Sequence, residues 1–149
     1  PSKVIVAINC GGSQYTDKNE VKYEADKYYN GGTSSEHGLN FDIKNTEDEI
    51  LYQTERWSSE TLTYSLPLKS NINGNYVLIL KFSEVYFNNK GEKIFDFTIG
   101  DTVILDNIDI YAKVGKNNAY DEFIEFELKN NKLLVEGKEV IDGYDSDNK

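Results

Sequence analysis

Two short segments of the chain place aromatic rings next to charged side chains. Trp57 ends the run Ile50–Trp57, Tyr86 and Phe87 end the run Leu80–Phe87, and both runs also contain glutamates. Flat rings stack on the C–H face of a pyranose, while neighbouring polar groups orient its hydroxyls. The pattern indicates a sugar-binding surface. A β-rich core that uses aromatic residues for packing is the alternative, and the pattern itself leaves both open.

Carboxylates near these rings raise the question of catalysis. Glu55, Glu84 and Asp96 all lie close to the aromatic segments. A glycosidase needs two carboxylates held roughly 5–10 Å apart across a cleft, and a sequence does not supply that distance. Acidic residues are also common throughout a chain with a net charge of −10. The sequence therefore favours a non-catalytic site.

Cofactor motifs are not apparent in the sequence. The segment Asp145–Asn148 begins like a calcium loop but lacks the following glycine and the distal glutamate of an EF-hand. The paired glycines lack the spacing and the Lys-Ser/Thr of a phosphate-binding loop. The single cysteine, Cys10, excludes an internal disulfide, and the single histidine, His37, argues against a His-rich metal site. We predict no cofactor and no metal.

Several other ring-bearing residues are weaker candidates. His37 lies in a polar loop, where it is either a donor to a ligand hydroxyl or a solvated histidine. Tyr28, Tyr29 and Tyr52 are more consistent with packing.

Charge and hydropathy exclude some partners. The chain has 26 acidic against 16 basic residues, and Arg56 is its only arginine. Without a basic stripe to neutralise phosphates, we expect no nucleic-acid binding and no attraction to an anionic membrane surface. No stretch approaches the roughly 18 apolar residues of a spanning helix, so we predict no membrane insertion by this segment.

The elements that must position these side chains are predicted to be strands. Residues 1–149 are expected to form a single all-β domain, a sandwich, because short alternating or apolar runs are separated by Asn/Gly/Asp turns. Residues 10–45 are polar and predicted to form long loops with short extended pieces. Tyr76–Phe82 is apolar at nearly every position and predicted to be covered on both faces. The other predicted strands are Val4–Asn9, Thr61–Leu68, Lys93–Gly100, Thr102–Leu105, Asp121–Leu128 and Lys132–Glu136.

Five segments, in order along nearly the whole chain, resemble malectin domains. They are VIVAINCGG at Val4–Gly12, ILYQTERW at Ile50–Trp57, YVLILKFSEVYF at Tyr76–Phe87, Phe95-Asp96, and NIDIY at Asn107–Tyr111. The pairing of the second and third segments is highly specific. The resemblance implies a jelly-roll β-sandwich of the galactose-binding-like type without catalytic activity.

The resemblance also implies a ligand and a site. The family includes an endoplasmic-reticulum lectin of glycoprotein quality control, which binds the glucose-α1,3-glucose ends of immature N-glycans in a cleft of four aromatic residues and an aspartate. Carried across, the aromatic positions fall on His37, Trp57, Tyr86 and Phe87. His37 and Trp57 replace tyrosines, which predicts a changed specificity or another ligand.

The binding aspartate depends on how the C-terminal residues are aligned. One alignment makes Asp147 or Asp145 the ligand residue. The other, which we favour because Val135–Gly137 fits the strand before an acidic loop, implies that the last one or two strands of the fold are missing from this sequence.

A second hypothesis is a protein-interaction module. Malectin-like domains also occur as accessory parts of protist kinesins and plant receptor kinases. The chain would then act in the cytoplasm, cytoskeleton or cilium rather than in the endoplasmic reticulum, and the same groove would hold a protein partner instead of a glucose-containing oligosaccharide.

Overall fold

Strands separated by short turns dominate the molecule. The computed structural model describes residues 3–68 and 73–140. Within these ranges one short strand precedes the predicted loop region, four lie in it and eight follow it. The first five are β1 (Ile8–Asn9), β2 (Tyr15–Thr16), β3 (Lys22–Ala25), β4 (Tyr29–Asn30) and β5 (Thr33–Ser35). The others are β6 (Glu55–Trp57), β7 (Thr63–Tyr64), β8 (Gly74–Phe82), β9 (Phe95–Ile99), β10 (Thr102–Ile108), β11 (Tyr120–Lys129), β12 (Lys132–Val135) and β13 (Lys138–Glu139).

Helices are few and short. They are a single 3-10 turn at His37–Asn40, α1 (Ile50–Gln53) and α2 (Ile110–Val114). Asp109 begins α2 by accepting a hydrogen bond from the backbone N–H of Ala112, and Gly115 ends it with φ 78°. No helix in the described part of the chain has the length and apolar character needed to cross a bilayer.

Two layers of sheet form the sandwich. One layer is the antiparallel sheet with the order β13-β12-β11-β8, in which Ile79 of β8 lies opposite Phe123 of β11. The other includes the β9–β10 hairpin. Ile99 and Ile104 from that hairpin pack against the buried cluster of Leu128, Leu133 and Val140, so the two layers share an apolar interface. The all-β sandwich predicted from the sequence is confirmed.

A second apolar cluster lies where β8 leads into the loops that precede β9. It contains the buried residues Ile43, Leu51, Tyr52 and Val85, with Tyr23 among the rings packed against them. These residues come from four separate segments of the chain. The cluster therefore fixes the loop-rich end of the sandwich, where the candidate site lies.

Three strand predictions were wrong in detail. Of Val4–Asn9 only Ile8 and Asn9 form a strand, because the neighbouring β3 pairs with those two residues and Val4 stays 53% exposed. Of Thr61–Leu68 only β7 is a strand. The predicted cover on both faces of Tyr76–Phe82 was also wrong, since the face of β8 that bears Val77 and Ile79 is exposed.

Candidate functional site

Four rings contact one another at the loop-rich end of the sandwich. His37 lies edge-on to Tyr86, with ring centroids 5.5 Å apart, and edge-on to Phe41 at 5.4 Å. Tyr86 lies at 88° to Phe87, with centroids 5.0 Å apart. Edge-to-face packing of this kind holds aromatic rings at defined angles. Three of the four predicted aromatic residues are therefore brought together.

Glu84 fixes the segment that carries Tyr86 and Phe87. Its side chain is 3% exposed, and one oxygen accepts hydrogen bonds from the backbone N–H groups of both following aromatic residues, each at 3.1 Å. Val85 between them is buried in the core. The Glu84 carbonyl in turn accepts from the backbone N–H of Asn117 at 2.8 Å. Tyr86 is thus held outward, 60% exposed, on a backbone that is anchored on both sides.

His37 begins the 3-10 turn and is held from below by the end of α1. Its backbone N–H donates to the hydroxyl of Ser35 at 3.2 Å. The next residue, Gly38, is buried, and a Cβ there would lie 2.5 Å from the carbonyl oxygen of Gln53. The buried side chain of Gln53 donates to the carbonyl of Phe41 at 2.8 Å. These contacts hold the backbone around His37 against the end of α1.

Trp57 ends β6 in the adjacent antiparallel β5–β6 strand pair, where it lies opposite Thr33 of β5 and is 48% exposed. It is not part of the ring contacts that link His37, Phe41, Tyr86 and Phe87 within residues 3–68 and 73–140. Its ring is exposed, and β6 pairs with β5, the strand that leads to His37.

Arg56 fixes the turn beneath Trp57 from the opposite face of β6. Its Nε donates to Asp26 at 2.7 Å, and both side chains are about one tenth exposed, 10% and 9%. One terminal nitrogen donates to the carbonyls of Gly31 and Gly32 at 3.2 and 3.1 Å. The guanidinium also lies 3.5 Å from the ring centroid of Tyr29. Because Asp26 forms a strong ion pair with it, the pKa of the arginine is raised.

An ion pair connects the strand of Trp57, β6, to the segment that follows Phe87. The Lys93 ammonium lies 3.3 Å from Glu55, and the side chains are 33% and 29% exposed. Glu55 lies two residues before Trp57, hence on the same face of β6, and opposite Ser35. This pair therefore links the strand that carries Trp57 to the segment that follows Phe87.

Each carboxylate that the sequence suggested for catalysis makes a structural contact. Glu84 is buried and bonded to backbone N–H groups, Glu55 is paired with Lys93, and Asp96 accepts from the backbone N–H of Asn107 at 2.8 Å. Asp96 is on β9, while Glu55 is on β6.

Comparison with known proteins decides the family. Residues 4–145 match the Malectin domain. The chain belongs to the malectin domain family. It is similar to human Malectin, with 39% identity over 141 residues, which is 93% of this chain and 48% of that protein. The chain thus spans about half the length of the curated malectins that it matches.

Two further matches are to parts of larger proteins. A probable leucine-rich repeat receptor-like serine/threonine-protein kinase of Arabidopsis thaliana is 34% identical over 125 residues, which is 62% of this chain and 12% of the kinase. A solved β-glucuronidase of Bacteroides uniformis superposes with a TM-score of 0.65 at 22% identity over 82% of this chain and 15% of that enzyme. The latter shows a shared fold.

Other residues singled out from the sequence take different places in this malectin domain. Tyr52 is 6% exposed and belongs to the core, as its interpretation as a packing residue predicted. Tyr29 is 44% exposed and covers Arg56, while Tyr28 has a positive φ of 69°. Asp145 and Asp147 lie outside the described residues, so both alignments of the C-terminal segment stay predictions.

Three residues of the site were missed by the sequence reasoning. Phe41 completes the ring cluster, and Lys93 reaches Glu55. Lys116 places its ammonium 5.1 Å from the ring centroid of Phe41 and donates to the side chain of Asn88 at 2.8 Å. Lysines are scattered along the chain, so nothing in their spacing separates these two from solvated ones.

A separate polar crevice of about 240 Å³ lies on the other side of Tyr52. The Tyr52 hydroxyl donates to Asp121 at 2.6 Å, and Lys81 pairs with the same carboxylate at 3.0 Å. Burial and the adjacent Asp121 raise the pKa of Tyr52, so this hydroxyl stays protonated as a donor. Its polar groups satisfy one another, which is typical of a structural network.

Proposed function

We propose that this malectin domain binds short glucose-containing glycans, without catalysis, through the surface formed by His37, Trp57, Tyr86 and Phe87. The observation that carries the proposal is the group of edge-packed rings held at fixed angles, with Tyr86 60% exposed next to a buried anchor. Rings that are fixed before binding lose little conformational entropy when a sugar stacks on them. Family membership supports the same conclusion.

The two departures from tyrosine bear on specificity. Trp57 offers a larger stacking face but no hydroxyl, and His37 retains hydrogen bonding with a smaller ring. We therefore propose that a short α-linked glucose disaccharide is bound with a linkage preference of its own. Nigerose and maltose differ only in linkage, α1,3 against α1,4, so a comparison of their affinities measures this linkage preference.

Binding can be measured by calorimetry and by fluorescence, because Trp57 is the only tryptophan of the chain. We expect millimolar nigerose or maltose to change its emission and to release or absorb measurable heat. If neither sugar changes either signal in folded protein, the proposed function is wrong.

A matched pair of variants separates the site from general exposure of aromatic residues. Tyr86→Ala should abolish the heat of binding. Phe123→Ala, which removes a ring of similar exposure, 62%, from the outer face of β11, should leave it unchanged. Equal effects of the two changes would contradict the assignment.

A second candidate is recognition of a protein segment by the same surface. It is favoured by the match to a receptor-like kinase and by the exposure of Trp57 and Tyr86, residue types that also anchor protein interfaces. Capture of a stoichiometric protein partner that excess nigerose does not displace, in a wild-type chain that releases no heat with sugar, would favour this function over the first.

A further inference from the structure

The rings of the site account for stacking, but a sugar also needs groups that bind its hydroxyls. We propose that the Glu55–Lys93 ion pair is this polar part, and that it restricts the site to neutral sugars. The inference rests on the proposed sugar-binding function and extends it to two residues and a ligand class.

The position of Glu55 is set by the register of the antiparallel β5–β6 strand pair. Glu55 lies opposite Ser35, and Trp57 lies opposite Thr33. Directly opposed side chains share one face of a strand pair, and so do side chains two residues apart. The Ser35 hydroxyl on this face accepts the backbone N–H of His37. Glu55 is therefore two residues from Trp57 on one face of β6 and directly across from Ser35, whose hydroxyl binds the backbone of His37.

The position of Lys93 is set by the loop that continues from Phe87. Glu92 accepts from the backbone N–H of Asn88 at 3.3 Å and from the side chain of Asn89 at 3.0 Å, so the loop is held closed. Gly91 donates its N–H to Asp109 at 2.7 Å, which ties the loop to the start of α2. Lys93 follows this fixed loop, and its side chain reaches Glu55 on β6.

The pair keeps unused hydrogen-bonding capacity. The contact with Lys93 occupies one carboxylate oxygen and one of three ammonium hydrogens, and about one third of each side chain is exposed. The acids nearby differ. Asp26 uses both oxygens, for Arg56 and for the Tyr64 hydroxyl, and Glu84 is buried beneath backbone N–H groups. Glu55 is thus more accessible than either of these two acids.

The chemistry of the pair matches that of a neutral pyranose. A carboxylate accepts hydrogen bonds from adjacent hydroxyls, and an ammonium donates to hydroxyl oxygens. Since the two charges cancel, the pair itself offers an anionic sugar no unpaired cation, and the Glu55 carboxylate meets that sugar as a like charge. The other lysine of the site, Lys116, lies by the ring of Phe41 and donates to the side chain of Asn88. A uronate should therefore bind more weakly than the corresponding glucose compound.

The experiment is calorimetric titration of the wild-type chain and of Glu55→Gln with nigerose and its monodeoxy analogues. We expect Glu55→Gln to weaken nigerose binding roughly tenfold or more, the size of one lost charge-assisted hydrogen bond. If Glu55 accepts from a particular hydroxyl, one deoxy analogue should bind wild type and Glu55→Gln equally well. Lys93→Met should weaken nigerose binding in the same direction.

Two controls separate hydroxyl binding from a purely structural role. Glu24→Gln removes the carboxylate of an ion pair elsewhere, with Lys27 at 3.1 Å, and should leave nigerose affinity unchanged. Thermal unfolding should place the Glu55→Gln midpoint within a few degrees of wild type, because a pair this exposed adds little stability.

The outcomes are distinct. Unchanged affinity in Glu55→Gln, or the same loss for every deoxy analogue, overturns this inference while leaving the proposed function intact. Equal binding of a glucuronate-containing disaccharide and nigerose overturns the selectivity for neutral sugars. A wild-type chain that binds neither nigerose nor maltose overturns both the proposed function and this inference.

Discussion

Replacing Arg56 by methionine should be among the most destabilising single changes at the candidate site. The methionine keeps the unbranched stem but removes the bond to Asp26 at 2.7 Å, the bonds to the carbonyls of Gly31 and Gly32, and the contact with the Tyr29 ring. Removal of one partner from a buried ion pair typically costs about 3–5 kcal/mol, because the other charge is left uncompensated.

The structure places the expected value near the lower end of that range. Asp26 keeps its bond from the Tyr64 hydroxyl at 2.7 Å, so its charge is not left without a donor. We therefore expect Arg56→Met to lower the free energy of unfolding by about 3 kcal/mol. Arg56→Lys keeps the charge but cannot reproduce the planar fork, and should cost about 1–2 kcal/mol.

The assay is urea unfolding followed by circular dichroism, with Lys18→Met as the control. Lys18 pairs with Glu47 at nearly the same distance, 2.8 Å, but the side chains are 50% and 72% exposed. An exposed pair contributes about 0–1 kcal/mol, so the comparison isolates the effect of burial. The double variant Asp26→Asn with Arg56→Met should lose less stability than the sum of the single variants, by about 1–3 kcal/mol.

Either of two results would refute this reasoning. One is a loss below about 1 kcal/mol in Arg56→Met, equal to that of Lys18→Met. The other is strict additivity of the Asp26 and Arg56 variants, which would mean that the two side chains do not act as a pair in solution.

Three further changes test the frame of the site. Glu84→Ala removes the acceptor of two backbone N–H groups and should lower the free energy of unfolding in urea by about 3 kcal/mol. Glu84→Gln keeps one oxygen and should lower it by about 1 kcal/mol. Equal losses in the two variants would contradict these contacts. Burial raises the pKa of Tyr23 to about 12. An unfolded tyrosine titrates near 10, so its contribution is fully present below about pH 10 and lost as the pH rises through about 12, and this loss should be absent in Tyr23→Phe. Gly38→Ala brings a Cβ within 2.5 Å of the Gln53 carbonyl oxygen. It should lower the free energy of unfolding by about 1–3 kcal/mol and weaken nigerose binding. Unchanged binding would show that the segments of Gly38 and Gln53 can move apart without affecting the site.

Strict alternation of apolar and polar residues predicted β9, but the same pattern in Thr61–Leu68 overestimated the length of β7. Phe95, Phe97 and Ile99 recur at every second position of β9, and the structure turns all three inward. The same rule fails for a continuous apolar run. In β8 the residues Val77 and Ile79 are 54% and 45% exposed, although the sequence of the run is apolar on both faces. Composition reports how a strand could be covered, but not which layers are present to cover it.

The ring cluster was predictable only as a set of residues, not as a geometry. His37 and Tyr86 are far apart in sequence, and their contact depends on Gly38 packing against Gln53 and on Glu84 holding the following backbone. No periodicity encodes such contacts between loops. Lys93 was missed for the same reason, because its role depends on a crossing between two segments.

The most recognisable motif of the chain is largely a framework and not a ligand surface. Along Tyr52–Arg56 the side chains hold neighbouring segments in place. Tyr52 fills the core, Gln53 holds the Phe41 backbone, Thr54 donates to the carbonyl of Cys10, and Arg56 fixes the turn under Trp57. Glu55 differs from these residues, because it joins two segments through Lys93 and is also accessible to a ligand.

The side chains of Trp57 and His37 make none of these framework contacts, and they are the two positions at which tyrosine was expected. Trp57 and His37 can change without loss of the contacts made by Gln53 or Arg56. Under the proposed function, stability and specificity are therefore carried by neighbouring but different residues. It follows that exchanging Trp57 for tyrosine should alter the preference between nigerose and maltose while leaving the urea midpoint nearly unchanged. A large loss of stability in Trp57→Tyr would show that this ring, too, belongs to the framework.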